Sequence, residues 1–313
     1  MTTNERLLVV KKLRKYTGAG LADCLKALKS CNDDEAEAAK ILYEKGLAKN
    51  KKREMRSTTE GVACIAIKSN RVCVFALKCE TDFVAKNAEF LNLANYIREI
   101  SLKYDSSKSL LSALVQDNKS NDEAFQKTLE KMSKCINHES VSVEKIIAQF
   151  SVLITEKLVL SEFNTFDVSN SNSIGYYVHR PVSIYKHIGP RIALVIFEGK
   201  LEETIANKIA MQIVANPPCE IEIHKSNDES NGESSLNSNI KNEQNNENTN
   251  TIDNSETNDL NTGETNNNNE KDQMKTFLDM EYVGSETSQS IKDVLEKNKV
   301  SIKNYVYISI PID

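Results

Sequence analysis

Long apolar runs are missing from this chain of 313 residues. Nothing in it approaches the roughly 18–20 consecutive apolar residues that cross a bilayer. The opening Met1-Thr-Thr-Asn-Glu5 has neither the apolar segment of a signal peptide nor the Arg- and Ser-rich character of a transit sequence. A soluble chain is expected. Hydrophobic residues are scarce overall, at 39% against about 45–50% in globular chains, so part of the chain is expected to lie outside any packed core. Histidine is nearly absent: the four present (His138, His179, His187 and His224) form no His-x-x-x-His or His-Glu-x-x-His pair. The seven cysteines, at positions 24, 31, 64, 73, 79, 135 and 219, are odd in number and never spaced Cys-x-x-Cys. That disfavours a disulfide framework, a redox motif or a zinc site and fits a reducing compartment. No Gly-x-x-x-x-Gly-Lys or Gly-x-Gly-x-x-Gly loop is present, which disfavours a P-loop nucleotidase or a dinucleotide enzyme.

What is present is unevenly distributed. Residues 226–272 hold eleven acidic and two basic side chains, so the rest of the chain is mildly basic although the whole carries −5. The same 47 positions contain 16 asparagines and only four aliphatics, Leu236, Ile240, Ile252 and Leu260. Such a composition cannot bury enough apolar surface to offset chain entropy, and it predicts a disordered, solvated insertion between two ordered segments. Apolar patterning resumes at Phe277, Tyr282, Val283, Ile291 and Leu295.

Residues 1–48 predict three short helices. Val9, Leu13 and Tyr16 form one stripe, Leu21, Leu25 and Leu28 a second, and Ala38, Ile41 and Leu42 a third. Thr17-Gly18-Ala19-Gly20 separates the first two, Asn32 and Glu35 have capping-box spacing for the third, and Gly46-Leu47 suits its C-terminal cap. A bundle this small is marginal by itself and reads as a docking module. The basic stretch 49–60, with Lys49, Lys51, Lys52, Arg53 and Arg56, reads as a solvated linker; no aromatic residues interleave with its charges to stack on bases.

From Gly61 the period changes. Val62 to Lys68 and Arg71 to Cys79 predict a hairpin through Ser69-Asn70, with Asn taking the positive φ, and both strands are apolar on both faces, as in the middle of a sheet. Helices are expected near 87–104, 108–117, 121–137 and 143–150, and a strand near 154–163, closing a subdomain over 61–165. A second unit begins at 166–225, with strands at Ile174 to Val178, Ile192 to Phe197 and Cys219 to Ile223 and a helix from Leu201 to Val214. After the insertion, 273–313 completes it with Met280 to Val283, a helix from Ser288 to Asn298 and a strand from Asn304 to Ile310. The fold class is α+β.

Between the hairpin and the first core helix lies Cys79-Glu80-Thr81-Asp82-Phe83-Val84-Ala85-Lys86-Asn87. Strand-to-helix turns are exposed, so a phenylalanine there is informative. The plain alternative is that Thr81, Asp82 or Asn87 caps a helix and Phe83 folds back onto the core.

Thr-Asp-Phe-Val-Ala-Lys-Asn preceded by Cys-Glu, together with Val10-Lys-Lys-Leu-Arg14 and Thr17-Gly-Ala-Gly-Leu-Ala-Asp-Cys-Leu-Lys-Ala-Leu28, resembles elongation factor Ts. So do, in order, Gly46-Leu47-Ala48-Lys49, Glu60-Gly61, Gly189-Pro190-Arg191-Ile192-Ala-Leu-Val195, Ile209-Ala-Met-Gln-Ile213 and the stretch from Ser288 to Tyr307. The resemblance implies a ubiquitin-associated-like N-terminal bundle, then two α/β subdomains with antiparallel sheets, the second interrupted here by the insertion. It implies a guanine nucleotide exchange factor that binds elongation factor Tu in its GDP-bound and nucleotide-free forms, without cofactor, covalent chemistry, nucleic acid or membrane. Asp82 and Phe83, flanked by Thr81 and Val84, take the place of the family's wedge, which disturbs the partner's Mg²⁺ site. Val10, Arg14, Thr17 and Gly18 match the family's N-terminal contact, although Val10 and Thr17 read equally as core and helix-end residues. Met211 and Gln212 match a further contact helix, in which Gln212 stands where the family has His.

The chain also departs from the family. The Asn-rich stretch replaces a coiled-coil excursion and has no heptads. About eight additional residues, Arg180 to His187, precede Gly189-Pro190. The chain closes at Asp313 without the C-terminal helical module of some relatives. Asparagine tracts joined to a bacterial-type factor suggest an organelle, a mitochondrion before a plastid, with bacterial cytoplasm as the other choice. The rival to the exchange reading is an adapter that binds partners through 1–48. An enzyme built on Cys79, Glu80 and Asp82 is disfavoured, because no histidine lies near them in sequence.

Overall fold

The computed structural model describes residues 2–135, 141–218, 277–284 and 288–311. The first helix, α1 (Thr3–Thr17), starts from a capping box in which the Thr2 hydroxyl accepts from the Glu5 amide and the Glu5 carboxylate accepts from the Thr2 amide. It stops at Gly18, whose φ of 65° lies in the left-handed region. Helix α2 (Leu21–Ser30) and helix α3 (Glu35–Lys51) follow. Val10, Leu13, Cys24, Ala27, Leu28, Ala38 and Leu42 interlock between them. Two local expectations are corrected. Asp34, not Asn32, caps α3 by accepting from the Ala36 and Glu37 amides, while Asn32 and Asp33 form a left-handed corner. Helix α3 also runs past Gly46 to Lys51, so the first three positions of the basic stretch 49–60 are helical rather than linker. Gly46 serves close approach instead: a Cβ there would lie 2.5 Å from a Val152 methyl.

Strands β1 (Glu60–Lys68) and β2 (Arg71–Cys79) form the hairpin. Its turn takes positive φ at Ser69 rather than at Asn70, and the freed Asn70 amide donates to Asn170 at 2.6 Å. A four-residue helix, α4 (Asp82–Ala85), leads to α5 (Ala88–Ser101), α6 (Ser107–Ser112), α7 (Glu123–Cys135) and α8 (Val143–Ile154). Thr155 ends α8 in the left-handed region, so β3 begins only at Val159 and runs to Asp167. Then come β4 (Ser173–His179), the short β5 (Ile188–Gly189), β6 (Arg191–Glu198), α9 (Glu203–Ala215), α10 (Ile291–Asn298) and β7 (Ser301–Ser309). Phe277–Asp279 is a 3₁₀ turn, and a single bridge from Glu281 to Ser290 stands where a strand over 280–283 was expected. The strand expected at Cys219 to Ile223 and the Asn-rich stretch 226–272 lie outside the described residues.

Both sheets are antiparallel, ordered β3-β2-β1-β5 and β4-β6-β7. Alternate residues of the hairpin go to opposite layers. Ala63, Ile65, Val72, Val74 and Ala76 meet Val178, Ile192, Leu194, Ile196 and Ile308 of the second sheet. Cys64, Cys73, Phe75 and Leu77 meet Phe90, Leu93, Ile97, Phe125, Ile146 and Phe150 from the helices. On the far side, Ala193, Val195 and Phe197 meet Ile209 and Ile213 of α9 and Ile291 and Leu295 of α10. The result is four layers, helices, sheet, sheet, helices, within one folded unit. Antiparallel strands commonly alternate apolar and polar because one face is wet. The inner strands β1, β2 and β6 are apolar on both faces because each sheet is covered twice. Among the described residues no helix is long and apolar enough to cross a membrane.

The additional residues before β5 fold over α5. The Tyr185 hydroxyl donates to Asn92 at 2.7 Å, the Val182 amide donates to the Ile188 carbonyl, and Val182 and Tyr185 form a bridge.

Candidate functional site

At the end of β2 the chain turns away from the core at Cys79, which is fully buried. Burial pushes its thiol up to about 12, so it is neutral at physiological pH and no nucleophile. The enzyme reading loses its candidate there. The turn itself is built by two caps in series. The Thr81 hydroxyl accepts from the Val84 amide at 3.4 Å and starts α4; the Asn87 side chain accepts from the Glu89 amide at 2.8 Å and starts α5. Of the three sequence candidates for a cap, Thr81 and Asn87 act, on two successive helices, and Asp82 is the first residue of α4. Val84 is buried and pins the turn to the core below it.

Phe83 points the other way and is 82% exposed. Of the nine phenylalanines in the chain it is the only exposed one. Burying such a side chain stabilises a fold by about 1.5–3 kcal/mol, and that gain is forgone here. Beside it, Asp82 forms an ion pair with Lys86 one turn on, at 2.7 Å. The hydrogen bond from Lys86 holds the Asp82 carboxyl below its usual range, so it is ionised at neutral pH. The site therefore offers a bare aromatic ring next to a carboxylate on a short capped helix. Among the described residues no group of three or more His, Cys, Asp or Glu gathers as a metal cage.

Underneath, two carboxylates hold the turn reciprocally. The Glu156 carboxylate accepts from the Glu80 and Thr81 amides, both at 3.1 Å, and from the Thr81 hydroxyl at 2.7 Å. In return the Glu80 carboxylate accepts from the Lys157 amide at 2.7 Å and from Arg56 at 2.9 Å. Partial burial of Glu80 acts to raise its pKa, but the Lys157 amide and Arg56 outweigh it and hold it low. The Lys157 ammonium donates to the Glu54 and Arg56 carbonyls. The stretch after α3 is thus fastened to the site and is not a free hinge. Sequence reasoning missed Glu156, Lys157 and Arg56 because they lie 24 to 77 positions from their partners. Only the Asp82–Lys86 pair, at four residues, carried a local signal.

The other residues matched by resemblance divide by burial. Val10 and Thr17 are in the core of the bundle, and the Thr17 hydroxyl donates back to the Leu13 carbonyl at 2.7 Å. Neither offers a side-chain surface, and of the two readings open for them the structure has core and helix end. Arg14 is exposed and Gly18 half-buried. Gly18 lies against α8, where a Cβ would stand 2.7 Å from the Leu153 Cα, and the Gln149 amide donates to the Tyr16 carbonyl at 2.9 Å. The end of α1 and the Asp82-Phe83 turn are both anchored on the C-terminal end of α8, which brings together two stretches far apart in sequence. Met211 is half-buried on α9. Gln212 is buried, and its amide is consumed in donating to the Glu281 carbonyl at 2.8 Å and accepting from the Val283 amide at 3.2 Å. It ties down the segment after the insertion, an internal role that the family match did not indicate.

Comparison with known proteins agrees with this arrangement. The family model described as elongation factor TS matches residues 80–310, a span that begins at the Glu80-Thr81-Asp82-Phe83 turn. A protein named elongation factor Ts from Spiroplasma citri is 33% identical over 211 residues, covering 67% of this chain and 62% of that protein. The matched span is thus less than two thirds of that relative's length. With a family match over most of its length, starting at the turn that exposes Phe83, the chain belongs to the elongation factor Ts family.

Proposed function

We propose that this protein is a guanine nucleotide exchange factor for elongation factor Tu, acting through the Asp82-Phe83 turn. The observation that carries the reading is Phe83, exposed beside an ionised Asp82 on a turn that is capped twice and braced from below. A rigidly presented aromatic can enter a partner's groove at little ordering cost. GDP in such a partner is held largely through its phosphates and a bridging Mg²⁺, and weakening the metal's hold leaves the diphosphate charge uncompensated. Asp82, ionised beside Lys86, can act on that cation's shell. Nothing covalent is needed. The protein must bind the nucleotide-free partner more tightly than the GDP form, and by linkage nucleotide rebinding then expels it.

Stopped-flow release of a fluorescent GDP analogue from elongation factor Tu tests the reading. Wild type is expected to accelerate release, and Phe83→Ala and Asp82→Ala to lose most of the acceleration while remaining folded. No acceleration by wild type on a matched partner would reject it. The adapter reading draws on exposed leucines of the bundle, Leu8 at 61% and Leu21 at 50%. It predicts that Leu8→Asp abolishes partner binding while Phe83→Ala leaves it intact.

A further inference from the structure

The turn that bears Phe83 should be floppy on local grounds. Helix α4 has four residues, far below the length at which a helix holds itself, and Phe83 makes no core contact that would fix it. What prevents disorder comes from 75 positions away. One oxygen of Glu156 takes both the Glu80 and the Thr81 amide, and the other takes the Thr81 hydroxyl. The same Thr81 hydroxyl then caps α4 through the Val84 amide. Glu156 therefore sets the direction in which the chain leaves β2, and through Thr81 it sets where α4 begins. Its own position is set in turn: Thr155 ends α8 in the left-handed region, the Ser151 hydroxyl donates to the Glu156 carbonyl, and the Glu80 carboxylate takes the Lys157 amide.

We infer that Glu156 is a positioning residue for exchange, holding the Asp82-Phe83 turn in its productive direction through the Glu80 and Thr81 amides; the inference rests on the exchange reading above. Glu156 need not touch the partner. Its effect is on the fraction of encounters in which Phe83 arrives correctly oriented, and misplacement of about 1 Å can cost on the order of a hundredfold in a rate. Three hydrogen bonds converging on one side chain impose direction as well as attraction.

The test uses the full chain and elongation factor Tu loaded with a fluorescent GDP analogue, titrated to saturation. Glu156→Ala is expected to lower the saturating release rate about tenfold with little change in the half-saturating concentration, because the contact surface itself is intact. Glu156→Gln, which can still accept from both amides, is expected to recover most of the rate. Amide hydrogen exchange over residues 80–85 is expected to rise in Glu156→Ala and not in Glu156→Gln. In a Phe83→Ala background, Glu156→Ala is expected to add no further loss to the residual rate. If Glu156→Ala does not fold, Glu156→Asp decides: one methylene shorter, it keeps the charge but not the reach, and a several-fold loss is expected. Wild-type rates in folded Glu156→Ala or Glu156→Asp would overturn the inference. So would a loss of equal size with and without Phe83, which would mark a general structural role. Failure of wild type to accelerate release is a separate result: it rejects the exchange reading and the positioning role with it.

Discussion

The two sheets are built from the same material and end differently. Each has one face in the shared interior and one under helices, and each has a fully buried phenylalanine on its helical face, Phe75 in the first and Phe197 in the second. Polar side chains at their margins have opposite tasks. Beside the first sheet, Glu80 and Glu156 grip backbone amides so that an exposed ring is presented to solvent. Beside the second, Gln212 grips the Glu281 and Val283 backbone so that a chain segment is drawn in. The same chemistry, a side chain satisfying backbone groups far away in sequence, presents a surface in one region and closes one in the other. The fastened segment carries Phe83 outward in one region and Tyr282 inward in the other.

Substitutions can break that comparison at successively finer levels. Phe75→Ala and Phe197→Ala should cost about equally, roughly 3–5 kcal/mol each, since both leave large cavities in doubly covered sheets; denaturant unfolding measures this, and a marked inequality would show that the two faces are not packed alike. Gln212→Ala should cost about 1–2 kcal/mol through the lost backbone bonds. Release of the GDP analogue should be unchanged at temperatures well below its midpoint; a loss of exchange would return Gln212 to the contact surface.

Acidification should weaken the first region through Glu80. Its pKa is held low in the fold by the Lys157 amide and Arg56, against partial burial, with Arg53 adding to the attraction. The stabilisation is therefore present above the ordinary glutamate value of about 4.3 and is lost as pH falls through the lowered one. The amount is under about 1 kcal/mol, because the partner Arg56 is exposed and screened by solvent. Unfolding measured at pH 6 and pH 3.5 should show a shallower acid loss in Glu80→Gln than in wild type. Smallest on stability is Phe83→Ala, within about 0.5 kcal/mol for an exposed side chain. A larger destabilisation would mean that the ring packs onto the protein after all, and would remove the observation on which the exchange reading stands.

Much of this architecture is legible along the chain. The first and third helical stripes, the hairpin, the α9 pattern and the unusual Asp82-Phe83 stretch are visible, because helix and strand periods repeat within a few residues; of the second stripe only Leu28 is buried, and α2 packs through Cys24, Ala27 and Leu28 while Leu21 and Leu25 stay exposed. Errors fall where a local signal met a distant neighbour. Gly46 reads as a helix stop, but its missing side chain admits Val152 and the helix continues. Asn32 and Glu35 read as a capping box, but the corner turns one residue pair later and Asp34 takes the role. Val10 reads equally as contact and as core and is core, and Gln212, placed on a contact helix by analogy with relatives, is buried.

By itself the sequence determined the class, the order of the elements and the identity of the residues at the exposed turn, since these depend on period, capping and composition over short spans. Only the tertiary structure decided that the turn is held rather than loose. The Glu156 carboxylate and the amides it binds are separated by 75 and 76 residues, and no local propensity reports a contact that exists only when α8, β2 and the chain after α3 are packed side by side.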